Sequence, residues 1–454
     1  KGCSTLYIGV SLKDRNNFFV SHDYGESWQP LAGQPVQYRP TQAALSEDGY
    51  LYITYGSNPG PMRMNNGAVW KYDPRSEKWQ DISPVKVDPD KGAAFGYAAV
   101  SVDQQNPKHL IVSTFNRPVA GSYAEDDIYR TTDGGKNWKP VFAGGARFDY
   151  GKAPYVEFTP LHWMFDIEID PFDPDHALFT TGYGGWETFN LGNMDKKEPT
   201  QWQVMSTGIE ETVPLELYSP KQGAQLISAI GDYGGFTHLD RPVPSGSHAD
   251  PYYSNTTDIT GAEDQPDLVV RVGTVSHHHP EGKPLAYSMD GGKSWLEPVS
   301  LPQEKAQNGH VAVSSDGRTW IWTPDRMPVY YTNDRGVTWS TAEGIPENLR
   351  VIADRVNPKR FYALDLSAAV LYESMDGGVS FQSRRLPFAP FDSKARNARG
   401  DRREDRTVCM LRRERKATYG LPLLTAYIMV FPEKHSYPWI RCVASTLSVL
   451  EKPR

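Results

Sequence analysis

Short apolar runs, four or five residues long and rich in β-branched and aromatic side chains, recur along the chain and stop each time at Gly, Pro, Asn or Asp. They fall at residues 6–10, 51–55, 98–102, 110–113, 165–169, 226–230, 268–272, 311–314 and 361–364. Runs of this length, bounded by turn formers, read as β-strands. No apolar period of 3.6 residues extends far enough to compete with them. The pattern therefore predicts an all-β fold, with helix confined to a small fraction of residues 5–383.

The turns between the runs repeat as well. Five segments carry nearly the same octapeptide, ending at Trp28, Trp138, Trp295, Trp339 and Phe381. In each, an aspartate (Asp23, Asp133, Asp290, Asp334, Asp376) stands two residues before a glycine, with Ser or Thr two residues ahead of it. The carboxylate can accept backbone N–H groups across a tight hairpin while the glycine takes positive φ. These are Asp boxes, and the repeat resembles the blades of Asp-box β-propellers. Asp290, Asp334 and Asp376 follow one another at about one four-stranded blade per step. Degenerate copies are expected at residues 68–79, at 186–202 and at the turn holding Asp232, which gives seven or eight blades up to about residue 383. Because the five box aspartates recur blade by blade, they are expected to fix hairpins rather than to form an acidic site.

Charge divides the chain in two. From Arg384 onward there are 16 Lys and Arg against 7 Asp and Glu, whereas the whole chain carries a net charge of −7. The body is thus acidic and aromatic-rich, which fits a soluble protein meeting neutral ligands and argues against nucleic acid as its partner. The basic segment 384–454 has no Asp box and is expected to be unrelated to the repeats and poorly ordered. Its apolar stretch 421–431 falls short of a membrane span. No signal peptide is visible at the start, three cysteines give no disulfide framework, and Asn255-Thr256-Thr257 would accept a glycan in a eukaryotic secretory pathway. His277-His278-His279 has no carboxylate or cysteine at ligand spacing, so no metal and no cofactor is expected.

The segment Gly208-Ile209-Glu210-Glu211-Thr212-Val213-Pro214, followed by Ser219-Pro220 and by residues 226–238 with Gly231-Asp232-Tyr233-Gly234-Gly235-Phe236, resembles the centre of glycoside hydrolase family 74, the xyloglucan-active endoglucanases. The resemblance extends to Gly67-Ala68-Val69-Trp70, Phe95-Gly96-Tyr97, Ile169-Asp170-Pro171-Phe172, Val270-Arg271-Val272-Gly273 and residues 311–317. It implies parts of two tandem seven-bladed propellers: residues 1–210 as the later blades of a first, 211–383 as the early blades of a second, with 384–454 outside both. It also implies inverting hydrolysis of a β-1,4-glucan with Asp232 as general acid, a base that no residue of this chain matches, a fragment of low activity, a secreted monomer, and a plant cell-wall β-glucan or related polysaccharide as partner.

Inversion needs one carboxyl to protonate the leaving oxygen and a second to activate water, ~6.5–9.5 Å apart. Sugar rings stack on aromatic faces, which makes Phe95, Tyr97, Trp163, Tyr183, Trp186 and Phe236 candidate substrate-binding residues. Blade cores consume the same residue types. The family carries two tryptophans after the position of Asn116, and Arg117-Pro118 stands there in this chain. Asp166, Glu168 and Asp170 alternate on one predicted strand, as a solvated strand face does. A non-catalytic glycan- or protein-binding propeller is the competing function. A sialidase is disfavoured because no Phe-Arg-Ile-Pro segment occurs, and a sortilin-like receptor because no Cys-rich module follows the blades.

Overall fold

The structure, a computed structural model, describes residues 5–387 apart from 61–62, 92, 118–124, 152, 158, 160, 210–211, 240–245 and 277–279, together with residues 409–411 and 426–428. The fold is all-β. Only three short 3-10 turns, Pro89–Lys91, Pro154–Val156 and Leu191–Lys196, interrupt the strands among the described residues. The chain divides into two compact units, Lys1–Glu211 and Thr212–Arg454.

In the first unit the strands form four successive sheets. Leu6–Gly9, Phe18–Ser21 and Gln29–Pro30 make a three-stranded sheet, and Arg39–Leu45, Leu51–Gly56, Gly67–Asp73 and Lys78–Asp81 make a four-stranded meander. A second meander runs through Gly96–Val102, Leu110–Phe115, Ile128–Thr131 and Lys139–Pro140. The last comprises Ile167–Ile169, Ala177–Thr181, Gly184–Thr188 and Gln201–Val204, with Arg147–Asp149 added in parallel on its outer edge. In the second unit, Val213–Tyr218, Leu226–Gly231 and Gly234–His238 form one blade. Tyr253–Gly261, Val269–Val275 and Leu285–Ser288 form the next, and the two meet at the single pair Gly231–Asn255. Two regular four-stranded blades follow, His310–Val313 to Ser340–Thr341 and Val351–Ala353 to Gln382–Arg385. Among the described residues no sheet closes on itself.

Blades stack face to face, and that stacking decides which strands are apolar on both sides. Leu51–Gly56, Gly96–Val102 and Leu110–Phe115 are buried along their whole length. Each hydrophobic cluster draws on two consecutive blades: Tyr52, Val69 and Ile82 pack with Val100, Leu110 and Val112, and Val270 and Leu285 pack with Trp320 and Trp322. At three of the C-terminal hairpins the closing tryptophan adds a polar tie. Trp79, Trp138 and Trp339 donate their ring N–H to Ala32, Ile82 and Ser300, main-chain carbonyls of the preceding blade, at 2.9, 2.8 and 3.1 Å.

The Asp boxes at Asp133, Asp334 and Asp376 join the third strand of a blade to its fourth, that at Asp290 follows the third strand of its blade, and that at Asp23 joins the second strand of the three-stranded sheet to its third; all share one hydrogen-bond pattern. At Asp290, Oδ1 accepts from Ser288 Oγ (2.7 Å), Lys293 N (3.0 Å) and Ser294 N (2.9 Å), while Oδ2 accepts from Ser294 Oγ (2.6 Å). Gly292 sits at φ +87°, where a Cβ would lie 2.9 Å from Ile227 Cδ1. These donors hold the Asp23 and Asp334 carboxyls down at about 2, with the hydroxyls of Ser27 and Thr338 the largest contributors. Replacing Asp290 by Ala leaves its donors to water and is expected to destabilise the second unit by about 1–3 kcal/mol, read as a lowered urea midpoint at unchanged slope.

In the first unit the inner strands of different blades are laced by polar side chains, between the second and fourth sheets at Gln42 and between the third and fourth at Ser101. Gln42 donates to Asp166 (2.8 Å), and Ser101 donates to Glu168 (2.7 Å). The alternating carboxylates are thus a polar strand face with specific partners, and Asp170 holds His176 at 2.9 Å. In the second unit Arg350 bonds Glu216 and, at 3.3 Å, the buried Asp258, which also meets His310 at 3.1 Å. Beyond residue 387 the described residues are two paired strands, Cys409–Leu411 and Ala426–Ile428. The expectation for the rest of the basic segment, like the one for His277–His279, lies outside the described residues.

Candidate functional site

A four-stranded antiparallel blade has two rims, and the turns alternate between them. The Asp boxes at Asp133, Asp334 and Asp376 occupy the rim of the third-to-fourth-strand turns, and that at Asp290 leaves the third strand of its blade on the same rim. Asp232 lies on the opposite one, because its hairpin joins the second strand, Leu226–Gly231, to the third, Gly234–His238. The turn at Asp232 is therefore not a degenerate box, contrary to the sequence expectation. True degenerate boxes are at Asp73, which accepts from Arg75 and Ser76, and at Asn190, which replaces the aspartate and accepts from Thr188 and Gln201.

Comparison with a sister hairpin shows how Asp232 is presented. Thr181 pairs with Gly184 across two connecting residues, Gly182 and Tyr183. Ile230 pairs with Gly234 across three, residues 231–233. The extra residue adopts φ +70° and is exposed, a conformation that Asp tolerates better than most side chains. Its backbone N–H donates to Asn255 Oδ1 at 3.2 Å, and Gly231 is paired on one side with Val213 and on the other with Asn255. The carboxylate has no hydrogen-bond partner among the described residues. Gly235, at φ +139°, brings the hairpin so close that a Cβ would fall 2.1 Å from Ser228 O. The backbone is held firmly while the acid projects into solvent. Phe236 follows, half-buried, with Tyr233 and His238 rings 6.4 and 6.1 Å away.

In the first unit two candidate aromatics come together on the corresponding rim. Trp163 precedes the first strand of its blade, Tyr183 sits in the second-to-third-strand hairpin, and His162 lies between them, 4.5 Å from Trp163 and 5.3 Å from Tyr183. Both candidate rings are half-buried. Gly182 permits this contact, since a Cβ there would meet the Trp163 ring at 3.2 Å.

Three candidates are corrected. Phe95, Tyr97 and Trp186 are core residues, 2%, 0% and 0% exposed, so none offers a face to a sugar. Tyr97 directs its hydroxyl inward to Val85 O at 2.8 Å, and burial pushes that hydroxyl up. Phe95 packs edge-on to Tyr97 and under the Arg117 guanidinium. Trp186 is enclosed by Phe148, Tyr150 and Phe179.

Sequence reasoning missed one buried group on this rim. Asp126 is 0% exposed and accepts from Arg117 N (2.9 Å), Thr114 Oγ1 (3.1 Å) and Trp163 N (3.1 Å). Burial pushes its carboxyl up to about 8 and that of its neighbour Asp127 to about 6. Among the described residues no group of His, Cys, Asp and Glu is arranged to hold a metal ion, and no helix is long and apolar enough to cross a membrane.

No profile of a known protein family matches the chain. It is 38% identical over 416 residues to a xyloglucanase of Paenibacillus sp, covering 86% of this chain and 39% of that protein. It is 35% identical over 407 residues to the xyloglucanase Xgh74A of Acetivibrio thermocellus, covering 85% and 47%. The chain thus spans about half the length, or less, of these relatives. Among solved structures, the GH74 xyloglucanase from Xanthomonas campestris superposes with a TM-score of 0.78 at 39% identity, over 90% of this chain and 56% of that one. With successive Asp-box blades and relatives of this similarity over most of its length, the chain belongs to glycoside hydrolase family 74.

Proposed function

We propose that the protein to which this chain belongs hydrolyses a β-1,4-glucan of the xyloglucan type outside the cell, with inversion, and that Asp232 donates the proton to the leaving oxygen. One observation carries the assignment. Asp232 is an exposed carboxyl on a one-residue extension of a rigid hairpin, on the rim opposite the boxes, with its own side chain left unengaged by the described residues. A structural turn aspartate, such as the five in the boxes, spends both oxygens on its own hairpin. Relatives named as xyloglucanases supply the substrate class. The water-activating base is proposed to lie outside this chain, and Trp163, Tyr183 and Phe236 to contact sugar rings.

Proton NMR of xyloglucan digests made by the whole protein tests the mechanism. The first anomer released is expected to be α; initial release of the β-anomer would exclude inversion. A second reading, glycan binding without hydrolysis by this chain, is favoured by the His162, Trp163 and Tyr183 cluster, which needs no acid–base pair to hold a sugar.

A further inference from the structure

We propose that Asp126 is a positioning residue for glycan binding: its buried carboxyl holds Trp163 in the backbone conformation that sets the indole against His162 and Tyr183. This rests on the reading that Trp163 and Tyr183 contact sugar.

The geometry is reciprocal. Asp126 N donates to Leu161 O (3.3 Å), and Asp126 Oδ2 accepts from Trp163 N (3.1 Å), so the segment entering the strand Ile128–Thr131 is clipped to the segment entering Ile167–Ile169. Trp163 has φ +56°, and Asn116, beside Arg117, whose N–H meets Oδ1, has φ +62°. A bulky residue in the left-handed region is strained, by about 1–3 kcal/mol, and persists only when its surroundings hold it there. Asp126 is the group that does so, because its two oxygens take the N–H groups of both loops. Thr114 completes the cradle. Its Oγ1 accepts from Asp127 N (2.9 Å) and lies 3.1 Å from Asp126 Oδ1, so it can either donate to an ionised Asp126 or accept a hydrogen bond from a neutral one while donating its own O–H to Asp127 O (3.3 Å). Arg117 turns its guanidinium away to Tyr129, so no cation neutralises Asp126 directly. A lone carboxyl buried without a cation is a poor stabiliser of a fold, and its two-loop grip on Trp163 gives it a role in binding.

The test uses the full 454-residue chain and a xyloglucan oligosaccharide with a four-glucose backbone, titrated calorimetrically well below the unfolding transition. Trp163→Ala is expected to weaken binding about tenfold. Asp126→Asn presents an N–H₂ group to one of its donors and is expected to weaken binding about three- to tenfold. In the double variant the Asp126 substitution should add nothing, since there is no indole left to aim. Thr114→Val, which removes one cradle donor at constant shape, should give a two- to threefold loss and serves if Asp126→Asn does not fold. If Trp163→Ala weakens binding while Asp126→Asn or Thr114→Val does not, the positioning role is overturned and the platform stands. If Trp163→Ala has no effect, the platform and the inference fall together. Equal losses from Asp126→Asn with and without Trp163 would mean a general structural effect and would also overturn it.

Discussion

Asp232→Asn in the whole protein is expected to lower xyloglucan turnover by ~10²–10⁴-fold while changing glycan affinity little. The size follows from removing a general acid, whose contribution is typically of that order. The separation of turnover from binding follows from the hairpin. Asn is isosteric with Asp and adopts positive φ at least as readily, and the bond fixing residue 232 runs from its backbone N–H to Asn255, not from its side chain. The fold and the neighbouring Phe236 should be untouched. A reducing-sugar assay beside a binding isotherm decides it. Turnover within threefold of the parent would make Asp232 a turn residue only, and a parallel loss of affinity would mean that the carboxyl binds rather than protonates.

Thermal stability of the first unit is expected to be highest in mildly acidic solution and to fall steeply as pH rises toward 8. Asp126 and Asp127 have folded-state values raised by burial to about 8 and about 6, against 3.8 when unfolded. Between those limits the folded chain keeps protons that the unfolded chain has released, so unfolding becomes easier with each rise in pH, by up to about 1.4 kcal/mol per unit for each group within its window. Box aspartates act in the other direction. Asp23 is held near 2, so its contribution is present above about pH 4 and is lost as pH falls toward 2. Because the box carboxylates are half-buried or exposed, and so are screened by solvent, the alkaline limb should be the larger. Melting curves at pH 2.5, 5 and 8.5, with Asp126→Asn flattening the upper limb, check both signs. A wild-type midpoint that does not fall between pH 5 and 8.5 would contradict the buried neutral carboxyl.

The boxes were legible because every donor to their aspartates lies within four residues, so spacing alone encodes the geometry. Asp232 was legible as a special residue but not in its position, since a turn's sequence does not say which two strands it joins. That required the register, in which Ile230 meets Gly234. Phe95, Tyr97 and Trp186 were misassigned because stacking on a sugar and packing between blades select the same side chains. What separates them from Trp163 and Tyr183 is that Tyr97 and Trp186 sit within strands enclosed by neighbouring blades, and Phe95 lies directly against Tyr97, whereas the other two sit in connections. Asp126 left no local signal, because one of its partners, Trp163, is 37 residues away.

Since each apolar cluster is shared by two successive blades, and Trp138 and Trp339 hand their ring N–H to the blade before, no sheet carries a private interior. Through its apolar clusters each blade is coupled to its nearest neighbours, while polar ties such as Gln42–Asp166 and Arg350–Glu216 reach past them. A disruptive substitution in an apolar cluster should be felt most strongly one blade to either side. Hydrogen exchange should accordingly show protection that rises from the outermost sheets of each unit toward its middle ones, a gradient along the chain where a single shared core would give one uniform plateau.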